Sequence, residues 1–406
     1  MVDICEKTLC TGCHACLNIC GKKAISMKPD SLGFEYPVID ASLCVDCGLC
    51  AKICPVNNPP KAVTPSAVYA AQSTDLKDLM SSTSGGAASV FSQVILKQGG
   101  IVYGCSGMDA SHVQHIRIES VSELYKLKGS KYVQSKIGSV FKQVKADLLL
   151  GKKVLFTGTP CQVAGLKNFL RVEYENLITV DLVCHGVPSQ QLLLDDISDY
   201  IQSNNPVVVH FRKKGRKEAD LKYGIYIING DGHKVYAKDY PHDYYIMGFM
   251  SGLFLRNSCF TCHWAGSKRC SDITVGDFWG LGELNNNRIE KGYGVSEVLL
   301  NTNKGENFFE TCQTSLYWEK RDVYEAINGN GRLQSPSIKH PLYAKFRHLY
   351  AEKGFAASCR KCLFHDYKHY YINNLKKQVR ALLVKTPGVR KIYRKMKKQY
   401  QVCIRK

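Results

Sequence analysis

Long hydrophobic runs are missing from this 406-residue chain: none approaches the roughly 18 consecutive apolar residues that span a bilayer. The opening MVDICEKTLC also lacks the basic and then apolar pattern of an export leader. Together these absences make the cytoplasm the expected location. No GxGxxG and no GxxxxGKS/T occurs, which excludes a nucleotide held by a standard Rossmann or P-loop turn. Acidic residues are absent from positions 371–406, a stretch with twelve Lys and Arg that supplies twelve of the twenty formal positive charges. The rest of the chain is only mildly basic, so nucleic acid is not the expected partner. The tail reads as basic amphipathic helices, broken at Pro387 and Gly388, that suit an anionic membrane surface or an acidic partner. A solvated basic face is the competing reading.

Cysteine is what the chain has in excess, 19 in all. In a reducing compartment that favours metal binding over a disulfide framework. CTGCHACLNIC sets Cys10, Cys13, Cys16 and Cys20 at CxxCxxCxxxC spacing, and CVDCGLCAKICP repeats the pattern with Cys44, Cys47, Cys50 and Cys54. Three thiolates from two short turns hold three irons of a cubane, while the fourth cysteine serves the other cluster in two-cluster ferredoxins. The expected sets are therefore Cys10, Cys13, Cys16 and Cys54 for one 4Fe-4S cluster, and Cys20, Cys44, Cys47 and Cys50 for the second. Zinc is the weaker alternative, because zinc modules usually pair two CxxC units across a longer gap and mix in histidine. Cys5 fits neither set and reads as free. Four prolines within residues 55–65 then mark a semi-rigid linker.

From Ser66 onward, short β-rich runs (AVYAAQS, GIVYGCSG, KVLFTGTP, LITVDLVCHG, VVVHFRKK) alternate with segments of helical period (GGAASVFSQVILKQ, SKIGSVFKQVKADLLL, CQVAGLKNFLR, PSQQLLLDDISDYIQS). The alternation predicts an α/β body with a largely parallel sheet. YGIYIINGDGHKVYAKDY, turning at NGDG, predicts a hairpin that makes the sheet mixed. The fold class is then α+β or mixed α/β: a small two-cluster ferredoxin-like module, an α/β body and a basic helical tail.

Three places in the body carry chemistry. SSTSGGAAS, residues 81–89, is a small-residue turn opening a helix, which suits a phosphate; a flexible loop with a good N-cap has the same pattern. KGSKYVQS, residues 128–135, is a basic and aromatic loop that either faces an anion or is a surface turn. Cys161 and Cys184 fall at the ends of two predicted strands, on the rim where open α/β sheets bind ligands. With the CxxC pair Cys259 and Cys262 they make four thiolates, enough for a third 4Fe-4S cluster. A set using Cys270 in place of one strand-end cysteine, and zinc on these same residues, stay open on spacing alone.

GTPCQVAGLKNFL, DLVCHGVPS, FRKK and CFTCHWAGSKRCSDITVGDFWG, in that order behind the cysteine repeats, resemble the β-subunit family of coenzyme F420 hydrogenases and dehydrogenases. The resemblance implies an FAD-dependent iron-sulfur oxidoreductase that moves a hydride between a reduced deazaflavin and FAD and passes single electrons through clusters to a protein partner. It implies Cys161, Cys184, Cys259 and Cys262 as core-cluster ligands, with Cys270 spare. It puts Ser84, Gly85 and Gly86 at the FAD phosphates, Lys131, Tyr132, Gln134 and Ser135 along the flavin, and Thr157, Gly158 and Thr159 against it. Asp277 and Trp279 belong to the same wall, with a core position the rival reading for Trp279. No catalytic acid, base or nucleophile is needed when a cofactor carries the hydride, and His185 either orients a ligand or satisfies a backbone group. The expected organisation is a 2×4Fe-4S ferredoxin-type domain (1–58), a linker (59–65), a flavin-binding body (66–150 and 151–345, the latter with the third cluster) and a basic extension (346–406). Cys359 and Cys362 lie outside the resemblance and read as structural. A ferredoxin-like electron carrier or adaptor is the alternative function.

Overall fold

The computed structural model describes residues 3–201, 206–215 and 221–385. In the cysteine-rich module, two short helices, α1 (Ala15–Ile19) and α2 (Leu49–Lys52), accompany a hairpin of β1 (Ile25–Pro29) and β2 (Glu35–Ile39). Both helices are entered through a left-handed residue, Gly48 (φ 69) and His14 (φ 62). Glycine adopts that conformation without a Cβ penalty. His14 is held there by its ring, whose Nδ1 accepts from Gly138 N at 3.1 Å and whose Nε2 lies 3.4 Å from Glu35. The module is thereby pinned to the body next to its first cysteines.

The body strands are β3 (Ala67–Ser73), β4 (Ile101–Ser106), β5 (Gln114–Ile118), β6 (Val154–Gly158), β7 (Leu177–Leu182), β8 (Val208–Lys213), β9 (Lys222–Ile228), β10 (Lys234–Asp239), β11 (Ile273–Asp277), β12 (Ser296–Leu300) and β13 (Leu316–Arg321). Its helices are α3 (Leu76–Ser81), α4 (Ala87–Lys97), α5 (Val140–Leu149), α6 (Pro160–Leu170), α7 (Gln190–Asp196), α8 (Tyr244–Ser251), α9 (Asn303–Cys312), α10 (Val323–Gly329), α11 (Tyr343–Cys362) and α12 (Phe364–Lys385). Eight strands form one mixed sheet in the order β13-β3-β12-β11-β7-β6-β4-β5. Its centre is parallel (β11, β7, β6, β4), and antiparallel pairs complete both flanks. The central strands are covered on both faces, and Val154, Leu155 and Phe156 of β6 are wholly buried; that is why these strands read as continuous apolar runs.

The hairpin expected at NGDG forms as β9 and β10, but it joins β8 in a separate three-stranded antiparallel sheet. The main sheet is mixed because of β3, β5, β12 and β13 instead. The physical reason lies in β10, whose residues are exposed or half-buried throughout. Such a strand cannot enter a parallel sheet covered on both faces.

α11 returns to the core, where Cys359 and Cys362 are fully buried among aromatic side chains. Of the basic tail, residues 371–385 continue α12, whereas residues 386–406, with the break expected at Pro387 and Gly388, lie outside the described residues. Among the described residues, no helix is long and apolar enough to cross a membrane.

Candidate redox site

The carboxyl ends of β4, β6, β7 and β11 open into one cleft of about 590 Å³, lined there by Cys105, Thr157 and Gly158, Cys184, and Asp277. This is the side on which open α/β sheets bind ligands, and the volume is that of a small-molecule site.

The two loops that were ambiguous in the sequence meet across this cleft. Lys128 Nζ donates to Asp78 Oδ1 at 2.6 Å and to Ser81 Oγ at 2.5 Å, and Ser130 N donates to Thr83 Oγ1 at 2.9 Å. From a third direction, Lys214 Nζ donates to the carbonyls of Leu79 (2.6 Å), Ser82 (3.2 Å) and Ser84 (2.6 Å), and burial lowers its pKa to about 8. The small-residue loop is therefore clamped rather than flexible. It delivers the chain to α4 through Gly86 at φ 84, which has no side chain to cap the helix, and Ala87 N donates to Ser296 Oγ at 3.3 Å. The remaining first-turn N–H groups, together with the helix dipole, suit an anion. Ser84 and Gly86 line the cleft with Ala87, Ala88 and Ser89, whereas Gly85 packs behind them against β3 and β12.

The opposite wall is aromatic. Tyr132 stacks on Phe249 with ring centroids 4.8 Å apart and on Tyr223 at 6.1 Å. Arg212 reaches over Tyr223 at 4.7 Å and donates to Asp277 Oδ2 at 2.6 Å. Trp279 lies 6.4 Å from Tyr223 and is 46% exposed, which excludes the core position considered for it. Lys131, Gln134, Ser135, Thr157, Gly158 and Thr159 all line the same space. So does His115, which the sequence reading missed: its Nε2 lies 3.0 Å from Thr157 O and its Nδ1 2.8 Å from Ser135 Oγ. A carbonyl only accepts, so Nε2 carries the proton and Nδ1 accepts from the hydroxyl. Burial lowers this imidazole to about 4, which keeps it neutral. A helix start entered through glycine and a flat aromatic wall fit a phosphate-bearing aromatic cofactor.

At the floor of the cleft, Cys161 and Cys184 line the cavity, and the thiols of Cys262, Cys184 and Cys259 all act electrostatically on Cys161. Burial pushes Cys184 up to about 11 and Cys259 up to about 12, so binding iron there must release protons. Arg269 holds the arrangement, donating to Trp264 O at 2.6 Å and to Leu182 O at 2.8 Å, which ties the CxxC loop to the end of β7. Cys270 is buried away from this group, with Asp181, Lys167 and Arg269 as its charged neighbours. His185 Nε2 lies 3.2 Å from Phe249 O, the backbone-satisfying role.

In the ferredoxin-like module, Cys10, Cys13, Cys16 and Cys54 line one small cavity together with Cys5. Cys5 is thus not remote from the sets: its thiol lies close enough to those of Cys10 and Cys54 to lower the pKa of both. The second set faces solvent, with Cys47 exposed and Cys20, Cys44 and Cys50 half-buried; Cys47 and Cys20 lie close enough to Cys50 to act on its charge. Among the described residues, no group of three or more His, Cys, Asp or Glu closes on a single-ion site.

One helix links the sites. Cys161 and Gly165 are one turn apart on α6, and a Cβ on Gly165 would stand 2.9 Å from Cys13 Sγ. Cys13 therefore packs on the helix that carries Cys161, four residues or roughly 6 Å of rise along it.

Beside the cleft, Glu297 of β12 is fully buried, with Oε2 accepting from Asn330 Nδ2 at 3.2 Å and Oε1 unpartnered. Burial raises its pKa to about 8. In the folded chain this carboxyl keeps its proton up to about pH 8, whereas in the unfolded chain it loses it in the ordinary carboxylate range. The folded state binds more protons between those limits, so stability falls as pH rises through them. Glu297→Gln is expected to remove that decline, on the order of a few kcal/mol between pH 5 and 8, in urea unfolding run across that range. An unchanged decline would show that the proton is held elsewhere.

Cysteine sets of ferredoxin type joined to a C-terminal-edge cleft define an iron-sulfur oxidoreductase of α/β build. Comparison with known families specifies it further. Residues 9–58 match the 4Fe-4S dicluster domain, and residues 151–326 match the C terminus of the coenzyme F420 hydrogenase/dehydrogenase beta subunit. Over residues 151–326 the chain is similar to that beta-subunit family. Among solved structures, a chain of the F420-reducing NiFe hydrogenase complex from Methanosarcina barkeri is 17% identical, with a TM-score of 0.45, over 75% of this chain and 92% of that one. No curated protein matches.

Proposed function

We propose that this chain is a flavin-dependent iron-sulfur oxidoreductase that exchanges the two electrons of a hydride donor for single electrons given to, or taken from, a protein partner. FAD and three 4Fe-4S clusters, when bound, supply that exchange, since hydride chemistry is a flavin's and one-electron chemistry a cluster's. The chain supplies the positions. Ser84, Gly86 and the start of α4 would hold the phosphates, while Lys131, Tyr132, Gln134, Ser135, Thr157, Gly158, Thr159, Asp277 and Trp279 would surround the ring system. Cys161, Cys184, Cys259 and Cys262 would hold a cluster against that ring site. The cleft is open on its aromatic side, where Trp279 is exposed, and a reduced deazaflavin or a similar flat donor is the expected substrate there.

The observation that carries this reading is the meeting of both loops, the aromatic wall and two of four gathered thiols in one cleft. Protein purified and reconstituted without oxygen is expected to hold about one FAD and about twelve irons per chain. Its bound flavin should bleach on addition of reduced coenzyme F420. Eight irons and no flavin would instead support the electron carrier.

A further inference from the structure

Among the described residues, Arg256 is, with Arg269, one of two arginines buried to 1% exposure, and it joins the cleft to the ferredoxin-like module. It stands three residues before Cys259, whose N donates to its carbonyl at 2.9 Å. Its own N–H donates to Val187 O at 2.9 Å, on the segment that follows Cys184. The guanidinium then leaves the body for the ferredoxin-like module. Nε donates to Cys10 O at 2.7 Å, and Nη2 donates to Glu35 O at 2.8 Å while standing 3.7 Å from Cys10 Sγ. Nη1 donates to Gln134 Oε1 at 3.1 Å, and Gln134 in turn donates to Thr11 O at 2.9 Å. The plane lies over Tyr36 at 4.4 Å and Phe34 at 5.7 Å. Gly12, at φ 65, leaves just enough room: a Cβ there would come within 2.9 Å of Nη1.

None of these acceptors is a carboxylate. Burying a cation without a counter-charge costs several kcal/mol, and carbonyls and aromatic faces offset only part of it. The group with the missing negative charge is the one Nη2 points toward, the Cys10 thiolate. A cluster held by four thiolates carries net negative charge and gains one more on reduction, so a buried cation donating to one of its sulfurs favours the reduced form.

We propose that Arg256 is the built-in counter-charge of the cluster held by Cys10, Cys13, Cys16 and Cys54, and that it raises that cluster's reduction potential above what the module alone would set. This rests on the reading of those four cysteines as cluster ligands. Arg256 acts through the sulfur of a ligand and touches no substrate, so it is a positioning residue. Its placement also gives it a coupling role, because its backbone holds the Cys259 loop while its guanidinium holds the Gln134 loop and Cys10.

The test is a redox titration of the reconstituted holoenzyme, followed by electron paramagnetic resonance, for the wild type, Arg256→Gln and Arg256→Lys. Arg256→Gln is expected to lower the midpoint of one ferredoxin-module cluster by at least a tenfold change in its oxidised-to-reduced ratio, about 59 mV for one electron. The other clusters and the flavin should stay where they were. Arg256→Lys keeps the charge but not the fork and should fall between. Unmoved midpoints with full iron content overturn the proposal. If Arg256→Gln loses four irons, a midpoint in Arg256→Lys lowered tenfold or more overturns it as well, because the retained charge would then not set the potential. Absence of any ferredoxin-module signal in the wild type would sink the underlying ligand assignment, a separate failure.

Discussion

Cys184→Ser is expected to lower the iron content of the reconstituted protein from about twelve to about eight per chain, with flavin still bound. A serine hydroxyl is a hard, poorly ionised ligand where iron and sulfide favour a soft thiolate. The volume change is small, and the residue is half-buried beyond the end of β7, so the sheet should survive. Electron transfer from the cleft to a one-electron acceptor should fall at least ~100-fold, the upper size of effects seen when only an outer-shell partner of a metal ligand is lost. Reduction of the bound flavin by a hydride donor should change far less, since the aromatic wall and both loops are untouched. Cys270→Ser is the control. Its thiol is buried beside Asp181, Lys167 and Arg269, away from the four, so its iron content should stay at about twelve. Retained iron in Cys184→Ser, or four irons lost in Cys270→Ser, would exchange the two cysteines in the ligand set. Iron analysis with stopped-flow absorbance separates these outcomes.

Much of this site was legible in the sequence because its chemistry is tied to spacing. CxxCxxCxxxC repeats declare themselves, and strand-end cysteines follow once the strands β6 and β7 are read from their apolar runs. Loops 81–89 and 128–135 were ambiguous singly, because a glycine-rich turn or a basic turn carries no record of what lies opposite. Their meeting depends on Lys128, Asp78, Ser130 and Thr83, pairs some fifty residues apart. Lys214 acts across 130 residues or more. His115, Cys105 and Arg256 were missed for the same reason: each is one residue in an ordinary strand or turn whose role comes from tertiary neighbours. Arg256 did leave a trace. A lone arginine at the end of the apolar run GLFL, just ahead of a CxxC, must be either exposed or matched to a negative charge. The hairpin was placed in the wrong sheet because an NGDG turn reports pairing and says nothing about which sheet the pair joins.

Gly85→Ala is expected to be the most damaging single-methyl change in the cleft. The added Cβ would overlap the Ala71 carbonyl oxygen and stand 2.5 Å from Ser296 N and 3.0 Å from Ser296 Oγ. Two of these atoms belong to the backbones of β3 and β12, neighbours in the main sheet, so they cannot swing aside as a flexible side chain would. The loop must lift instead. Lifting it breaks Ser73 N to Gly85 O (2.7 Å) and Ser84 Oγ to Val295 O (2.9 Å), the bonds that seat it on the sheet. Overpacking of this kind costs roughly 1–3 kcal/mol and sometimes more. Because the same loop aims the start of α4, flavin retention should fall further than stability, by tenfold or more. Gly86→Ala tests the other constraint on the turn, a left-handed φ of 84, with an expected strain of roughly 1–2 kcal/mol. Gly21→Ala has open space around its Cβ and no positive φ, so it should match the wild type. Thermal unfolding and flavin absorbance after gel filtration read both effects. If Gly85→Ala melts and binds flavin like Gly21→Ala, the loop is not seated on β3 and β12, and the clamps at Lys128 and Lys214 hold it some other way.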